Sequence, residues 1–453
     1  MRLEIRFSIF FIFNLIFFNI QGFLFLHPSQ YENLEQNYNF TSYPGGNSSW
    51  DCIWGFNSSY YGDQIVTDSQ NHVYISGKVI NEWGDAINMF VVKLNASGEE
   101  LWNYTTKIHP LYWGIGISID SEFNIYTLGR TSKSPVTEWT LLKFNSSGDL
   151  SWNRTFIGHA NCMYVDFFDK IYVSGYNFDS KTDVSTLFLT KLNETGEIQW
   201  NYNIVTSNIK YPSALMVDEF NNTYLAGIYS DGTEHLTWWS GEFRYAADIF
   251  YWIYDNSGNL IYNNILDMEL YLISKRMFFD KFTHLYLIGT EDSLDKCILF
   301  KFNSSGGLQL RIDWRNDAID DSQDLWRNIA FDSSDNIYCT GVNSFWTGAW
   351  FYEFYLVKFN KIGNLELEGA WEKNYSSYDQ DSFVDLSSNI FITGSCEFGA
   401  FIVKNPGFGA FSKSSYDREE DPLLLVTVYS VIFGVCILLG IIFYIRFLRR
   451  SIE

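Results

Sequence analysis

The sequence predicts an all-β fold, a seven-bladed β-propeller of four-stranded blades. Three observations predict it. A pair of strand–turn–strand modules recurs seven times along the chain. No helical stretch separates the copies. The last copy lacks one strand, and the N-terminal segment supplies a strand of the missing kind.

The first module carries an aspartate turn. Val66–Gly77 (VTDSQNHVYISG) and Ile119–Gly129 (IDSEFNIYTLG) show the plan. The aspartates are Asp68, Asp120, Asp166, Asp218, Asp280, Asp332 and Asp385. An aromatic stands six residues after each (Tyr74, Tyr126, Tyr172, Tyr224, Tyr286, Tyr338, Phe391), and glycine follows three residues later. An Asp that opens a tight turn accepts bonds from the amides just after it. A feature present in every unit reads as scaffold, not as a metal site.

The second module carries an asparagine–glycine turn. Leu141–Thr155 (LLKFNSSGDLSWNRT) has close copies at Val91–Thr105, Leu189–Ile204 and Leu299–Leu310, and looser ones at Tyr251–Asn263 and Val357–Glu368. Glycine falls where a positive φ is wanted. Together the modules give strands a, b, c and d, with the marker glycine returning about every fifty residues, a propeller spacing. The seventh unit ends after its c strand at Val403-Lys404. Gly46–Gly55 (GNSSWDCIWG) reads as an orphan d strand that closes the ring and removes a free sheet edge.

The repeat resembles the bacterial and archaeal SBBP repeat, xxKxNxxGxxxW followed by DxxGNIYVxG, over roughly residues 50–404. The likeness implies the propeller fold and an extracytoplasmic tendency, not one activity. Unit four departs, with Ile253-Tyr254-Asp255 in place of Lys-Leu/Phe-Asn, and the d strands of units five and six are weak.

The ends set the expected location. Residues 1–26 start with Arg2 and Arg6 and run into apolar Phe7–Phe18, which reads as a secretory signal peptide or an uncleaved anchor. Residues 27–45 form a leader, 46–404 the propeller and 405–421 a stalk. Leu423–Ile445 holds 23 uncharged residues after Pro422. As a helix it is about 34 Å long, enough to span a bilayer. Acidic residues precede it, and Arg446, Arg449 and Arg450 open the tail at 446–453. The positive-inside rule places that tail in the cytoplasm and the propeller outside the cell.

Composition narrows the partners. A formal charge of −22 excludes phosphate-backbone recognition of nucleic acid as a main role. Aromatics make up 19% of the chain, and most sit at strand positions that read as core. Sequons at Asn39, Asn47, Asn57, Asn95, Asn103, Asn145, Asn153, Asn193, Asn221, Asn303 and Asn374 are glycosylation candidates, although Asn-Ser-Ser-Gly is also ordinary turn chemistry. The six cysteines show no CxxC; Cys52 and Cys396 are the pair considered for a ring-closing disulfide. His72 and His284 share one tolerant turn position, and no histidine makes a catalytic or zinc pattern.

Recognition is expected on the face of the b–c and d–a loops, which vary, while the a–b and c–d turns are stereotyped. Trp83, Trp238, Trp239, Trp346 and Trp350 are its candidate ligand-binding residues, by the affinity of exposed rings for sugar faces and protein hot spots. The competing reading is that these loops pack on each other. Asp317, Asp320, Asp321 and Asp324 form an acidic cluster outside the repeat, a calcium candidate or a solvated loop. The function expected is cell-surface recognition or adhesion through glycan or protein. The alternatives are an extracellular polysaccharide hydrolase or lyase, for which the sequence names no acid–base set, and a structural envelope component.

Overall fold

The computed structural model describes residues 50–54, 59–81, 86–106, 113–131, 137–179, 184–206, 209–229, 234–236, 243–245, 248–266, 272–291, 296–315, 323–346, 350–371, 378–385, 389–396, 399–404 and 408–409. Their strands form seven antiparallel blades. Blade 1 is Ser59–Thr67, Val73–Ile80, Ala86–Leu94 and Glu100–Thr105. Blade 2 is Trp113–Ile119, Ile125–Thr131, Glu138–Phe144 and Leu150–Ile157. Blade 3 is His159–Val165, Ile171–Asp179, Val184–Leu192 and Ile198–Thr206. Blade 4 is Ile209–Val217, Thr223–Tyr229, Asp248–Tyr254 and Leu260–Leu266. Blade 5 is Leu272–Phe279, Leu285–Glu291, Lys296–Phe302 and Leu308–Trp314. Blade 6 is Gln323–Phe331, Ile337–Trp346, Trp350–Phe359 and Leu365–Trp371.

Blade 7 is Tyr378–Val384, Ile390–Cys396 and Gly399–Lys404, completed by Trp50–Trp54 as its outer strand. Trp50 lies opposite Lys404 and Trp54 opposite Ala400, so the N-terminal strand closes the ring as expected. The chain then adds a feature the repeat does not foretell. Phe408–Gly409 pairs with Ala370-Trp371 as a fifth strand on blade 6.

Burial follows strand position. The b strand Val73–Ile80 and the c strand Ala86–Leu94 are nearly continuously buried, because neighbouring blades cover both their faces. The outer strand Leu150–Ile157 alternates half-buried and exposed residues. The core is accordingly a set of inter-blade seams. One joins Ile75, Phe90 and Val92 of blade 1 to Phe391, Ala400 and Ile402 of blade 7.

The aspartate turn is built as its chemistry predicts. Asp68 Oδ1 accepts the amides of Gln70 and His72, both at 2.9 Å. Its Oδ2 accepts the Tyr74 hydroxyl at 3.0 Å and pairs with His72 Nδ1 at 2.8 Å. In blade 2 the Asn124 side chain donates to Asp120 Oδ2 in place of the histidine, at 2.9 Å. Histidine and asparagine exchange there because each brings a nitrogen to the same carboxylate oxygen.

The asparagine turn laces the blades together. Asn145 Oδ1 accepts the amides of Ser147 and Asp149 at 3.0 and 2.9 Å. In blades 1 to 3 the tryptophan of the outer strand donates to a turn carbonyl of the next blade: Trp102 to Ser146 at 3.3 Å, Trp152 to Glu194 at 3.2 Å, Trp200 to Asn256 at 3.3 Å. The turn glycine serves twice. Gly148 has φ +90, and a Cβ there would meet the Trp102 ring at 2.6 Å. The repeated lysine of strand c lies over the aromatic opposite it on strand b, as Lys143 does 4.8 Å from the Tyr126 centroid. Blade 4 replaces that lysine with Ile253, opposite Tyr224, and its turn is capped by Asp255 instead of asparagine.

Candidate ligand site at the loop-face mouth of the channel

The seven a strands line a central cavity of about 700 Å³. Each carries a β-bulge at the same height, for example between Gly62 and Gln64, Ala160 and Cys162, and Asp379 and Asp381. The residues just after the bulges all line the cavity. Gly116, Cys162 and Ala214 make a small-residue arc on blades 2 to 4. Arg276, Asn328, Asp381 and Gln64 make a polar arc on blades 5, 6, 7 and 1.

Much of that polar arc braces the ring. Asp381 Oδ2 accepts the Ile65 amide of blade 1 at 2.8 Å, and its Oδ1 takes the Ser382 amide at 2.9 Å and the Asn328 side chain of blade 6. Asn328 also donates to the Ser382 carbonyl at 2.8 Å. The junction where the ring closes is therefore held at its inner edge as well as by its outer strand. Cys162 is half-buried, and burial pushes its thiol up to about 12 against a weak contact to the Ser174 carbonyl.

One register layer closer to the loop face, the blades differ. The paired a- and b-strand residues are Tyr61 with Lys78, Trp113 with Arg130, His159 with Tyr176, and Tyr211 with Ile228 on blades 1 to 4. Ile273 with Thr290, Leu325 with Val342, and Tyr378 with Ser395 follow on blades 5 to 7. The cations and the imidazole all fall on the first three blades. Lys78 Nζ lies 3.4 Å from Asp63 and 5.5 Å from the Tyr61 centroid. The His159 and Tyr176 rings stack at 4.8 Å and 5°, and Tyr211 meets Tyr176 edge-on at 5.2 Å.

Burial, reinforced by the Arg130 charge, holds the His159 imidazole below its usual range, so the ring is neutral at pH 7. Burial and then Tyr211 raise the Tyr176 phenol, against the opposing pull of Arg130. His159 Nδ1 and Asn161 Oδ1 are buried without a hydrogen-bond partner among the described residues. With Nδ1 enclosed, the imidazole offers Nε2. A neutral imidazole beside a protonated phenol and a guanidinium is able to bind anions and exchange protons.

The sequence-predicted residues fall elsewhere. Trp83, Trp238, Trp239, Asp317, Asp320 and Asp321 lie outside the described residues. The unit-four insertion does form a two-stranded ribbon, Glu234–Leu236 against Phe243–Tyr245. Trp346 and Trp350 face each other across the end of the blade 6 b–c hairpin, and Asp324 sits on that blade's a strand opposite Asn343. Cys52 pairs with Ile402 and Cys396 with Gly399, on strands separated by Gly399–Lys404. Strands two apart are about 10 Å distant, beyond the roughly 7 Å a disulfide spans, so the register keeps this pair apart.

The sequons divide into two kinds. Asn95, Asn145, Asn193 and Asn303 cap c–d turns through Oδ1. Asn221 holds a φ of 62 in an a–b turn. Asn103 and Asn153 stand exposed on outer strands, and Asn39, Asn47, Asn57 and Asn374 lie outside the described residues. Spare aromatics are not confined to the loop face. Phe168, Phe220 and Phe282 share one a–b turn position and are 53%, 73% and 53% exposed.

Sequence reasoning missed His159, Arg130 and Tyr176. A signal was there: the residue after the marker glycine (Lys78, Arg130, Tyr176, Ile228, Thr290, Val342, Ser395) changes class from unit to unit while its neighbours repeat.

No protein-family model and no curated protein matches the chain. Solved structures are similar to it at low identity. The β-propeller domain of the Trilobed protease from Pyrococcus furiosus is 9% identical, with a TM-score of 0.47 over 79% of this chain and 97% of that one. Puromycin hydrolase is 10% identical, with a TM-score of 0.48 over 77% of this chain and 52% of its own. Polysaccharide lyase Uly1 is 10% identical, with a TM-score of 0.43 over 82% and 94%. This chain is a seven-bladed β-propeller. Among the described residues of the propeller no helix is long and apolar enough to cross a membrane, and the 423–445 stretch lies outside them.

Proposed function

We propose that the propeller is an extracytoplasmic recognition protein of the cell surface, tethered by its C-terminal apolar stretch, that binds a glycan or protein ligand at its loop face. The observation that carries this reading is the uneven mouth layer. Its two cations and its imidazole gather on blades 1 to 3, on strands that are otherwise repeated blade by blade. A scaffold role asks the same of every blade; a binding role does not. The likeness to SBBP repeats and the apolar ends support the extracytoplasmic placement. Glycan-array and envelope pull-down binding with the segment from Tyr31 to Asp417, with and without calcium, tests it. Specific binding that falls at least tenfold on changing His159 and Tyr211 together supports the reading. Absence of binding by a folded segment overturns it.

One observation favours a second reading, an extracellular polysaccharide hydrolase or lyase. His159 and Tyr176 supply the neutral base and the protonated acid that such chemistry needs, stacked at 4.8 Å. Release of oligosaccharide products, lost in His159→Gln and Tyr176→Phe, is the result this reading expects; intact polysaccharide after prolonged incubation contradicts it.

A further inference from the structure

At the tip of the a–b turns one residue changes from blade to blade. It stands two after the turn aspartate and donates its amide N–H to that carboxylate, at 2.9 Å from each of Phe168, Phe220 and Phe282. Blades 1, 2, 6 and 7 have Gln70, Glu122, Ser334 and Ser387 there, while the consecutive blades 3, 4 and 5 have the three phenylalanines. All three are more than half exposed, as are Phe167 beside Phe168 and Ile362 in the c–d turn of blade 6. The turn does not need the rings: Ser334 makes the same amide bond to Asp332, at 2.9 Å. Single exposed apolar residues are ordinary on a protein surface, but a run of rings at one position on neighbouring blades is a patch.

Equivalent turns of a propeller lie at one height, so these tips form an arc that meets a flat surface together. The exit of the chain points the same way. The outer strand of blade 6 starts from the turn face at Leu365 and runs to Trp371. Phe408–Gly409 pairs antiparallel to its far end, Phe408 with Trp371 and Gly409 with Ala370. The chain therefore heads back toward the turn face, along the blade that carries Ile362. Residues 410–422 separate Gly409 from the apolar stretch 423–445. Extended, they reach up to about 45 Å, against about 17 Å from Ala370 back to Leu365. The tether is thus long enough to lay this face on a bilayer. Both lysines of the three turns are paired, Lys170 with Glu194 and Lys281 with Asp335, so the contact such a face offers is apolar rather than one of cations with anionic headgroups.

We infer that the arc of Phe167, Phe168, Phe220 and Phe282, with Ile362 on the exit blade, is a membrane-contact surface whose side chains enter the boundary between headgroups and acyl chains. This rests on the tether of the proposed function and adds an orientation to it. The turn face lies on the lipid, and the mouth of the channel faces away from the membrane, open to a ligand.

The test uses the full-length chain reconstituted in phosphatidylcholine vesicles. The photo-cross-linking residue p-benzoylphenylalanine takes the place of Phe220 or, as a control, of the similarly exposed Val205 at the loop-face end of a blade 3 strand. The inference expects at least tenfold more lipid adduct at position 220 than at 205. It expects Phe167→Ser/Phe168→Ser/Phe282→Ser to lower the adduct at 220 at least threefold. The first two of these changes copy the turn Asp332-Ser333-Ser334-Asp335 of blade 6, and an unaltered unfolding midpoint shows that the fold is kept. Equal lipid capture at 220 and 205 overturns the inference, as does a serine protein that captures lipid as before, or capture at 220 of a second copy of the chain in place of lipid. A chain that floats with the vesicles after alkaline extraction yet takes up no lipid at 220 overturns the contact surface and leaves the tether standing; a chain that does not float overturns both.

Discussion

The turn face and the loop-face mouth of this propeller are made by opposite ends of the same strands, and they use their residues in opposite ways. On the turn face the same groups meet in blade after blade. Asp68, Asp120 and Asp332 accept the same amides and the same tyrosine hydroxyl. Trp102, Trp152 and Trp200 clasp the same carbonyl of the following blade. At the mouth, equivalent positions hold Lys78, Arg130, Tyr176 and Ile228, then Thr290 and Val342. Repetition in a ring of equivalent blades marks what holds the ring together; divergence at one position marks what the ring displays.

The largest expected effect is on the turn face. Asp120 accepts the amides of Glu122 and Asn124 at 3.0 and 2.8 Å, the Asn124 side chain at 2.9 Å and the Tyr126 hydroxyl at 3.1 Å, with Lys143 at 3.3 Å. Asp120→Ala leaves those donors and a largely buried lysine without their partner, at a cost of about 3–5 kcal/mol in denaturant unfolding. Gly148→Ala comes next. It places a Cβ 2.6 Å from the Trp102 ring at a φ of +90, and the expected loss is about 3 kcal/mol.

Acid acts on the same face more gently. Burial alone would raise the Asp68 carboxyl, but bonds from the His72 side chain and amide, the Tyr74 hydroxyl and the Gln70 amide bring it below its usual 3.8. Asp332 is lowered too: burial opposes the shift, and the bonds from Asn336, Tyr338 and Ser334 outweigh it. A depressed carboxyl contributes stability above its unfolded value and loses it as pH falls through the folded one. These two carboxyls are therefore expected to lower the unfolding midpoint below about pH 4, and an Asp68→Asn/Asp332→Asn protein should show a shallower acid limb.

The smallest effect has the opposite sign. Thr283 holds a φ of 64 where Asn71 and Asn221 hold 63 and 62 in their own turns. Thr283→Asn relieves a β-branched residue in the left-handed region, and unfolding should show a gain of about 1 kcal/mol.

Most of the fold was legible in the sequence because propeller blades write their turns in fixed chemistry. The seven aspartates, the asparagine–glycine turns and the orphan strand at Gly46–Gly55 each follow from local hydrogen bonding and backbone preference. The a-strand bulges were not legible, since an extra residue in an apolar strand leaves no turn signal. Neither was the return of Phe408–Gly409 to blade 6, a pairing of two residues across distant sequence. The candidate site escaped for a related reason. Arg130, His159, Tyr176 and Tyr211 come from three blades and are spread over 82 positions of the chain, so no motif holds them together. Tryptophan-rich loops stand out in one dimension, whereas a register layer exists only once the strands are paired.

If the turn face maintains the ring and the mouth layer binds a ligand, as proposed, the two regions differ in what they contribute to stability. Denaturant unfolding of the Arg130→Gln/His159→Gln/Tyr211→Phe protein measures this most directly, because it needs no knowledge of the ligand. Functional groups held half-buried at the expense of solvation are not there for stability. The expected result is an unfolding free energy within about 1 kcal/mol of the parent, or above it. A loss as large as that of Asp120→Ala would contradict the proposed binding role and make the mouth layer one more part of the scaffold.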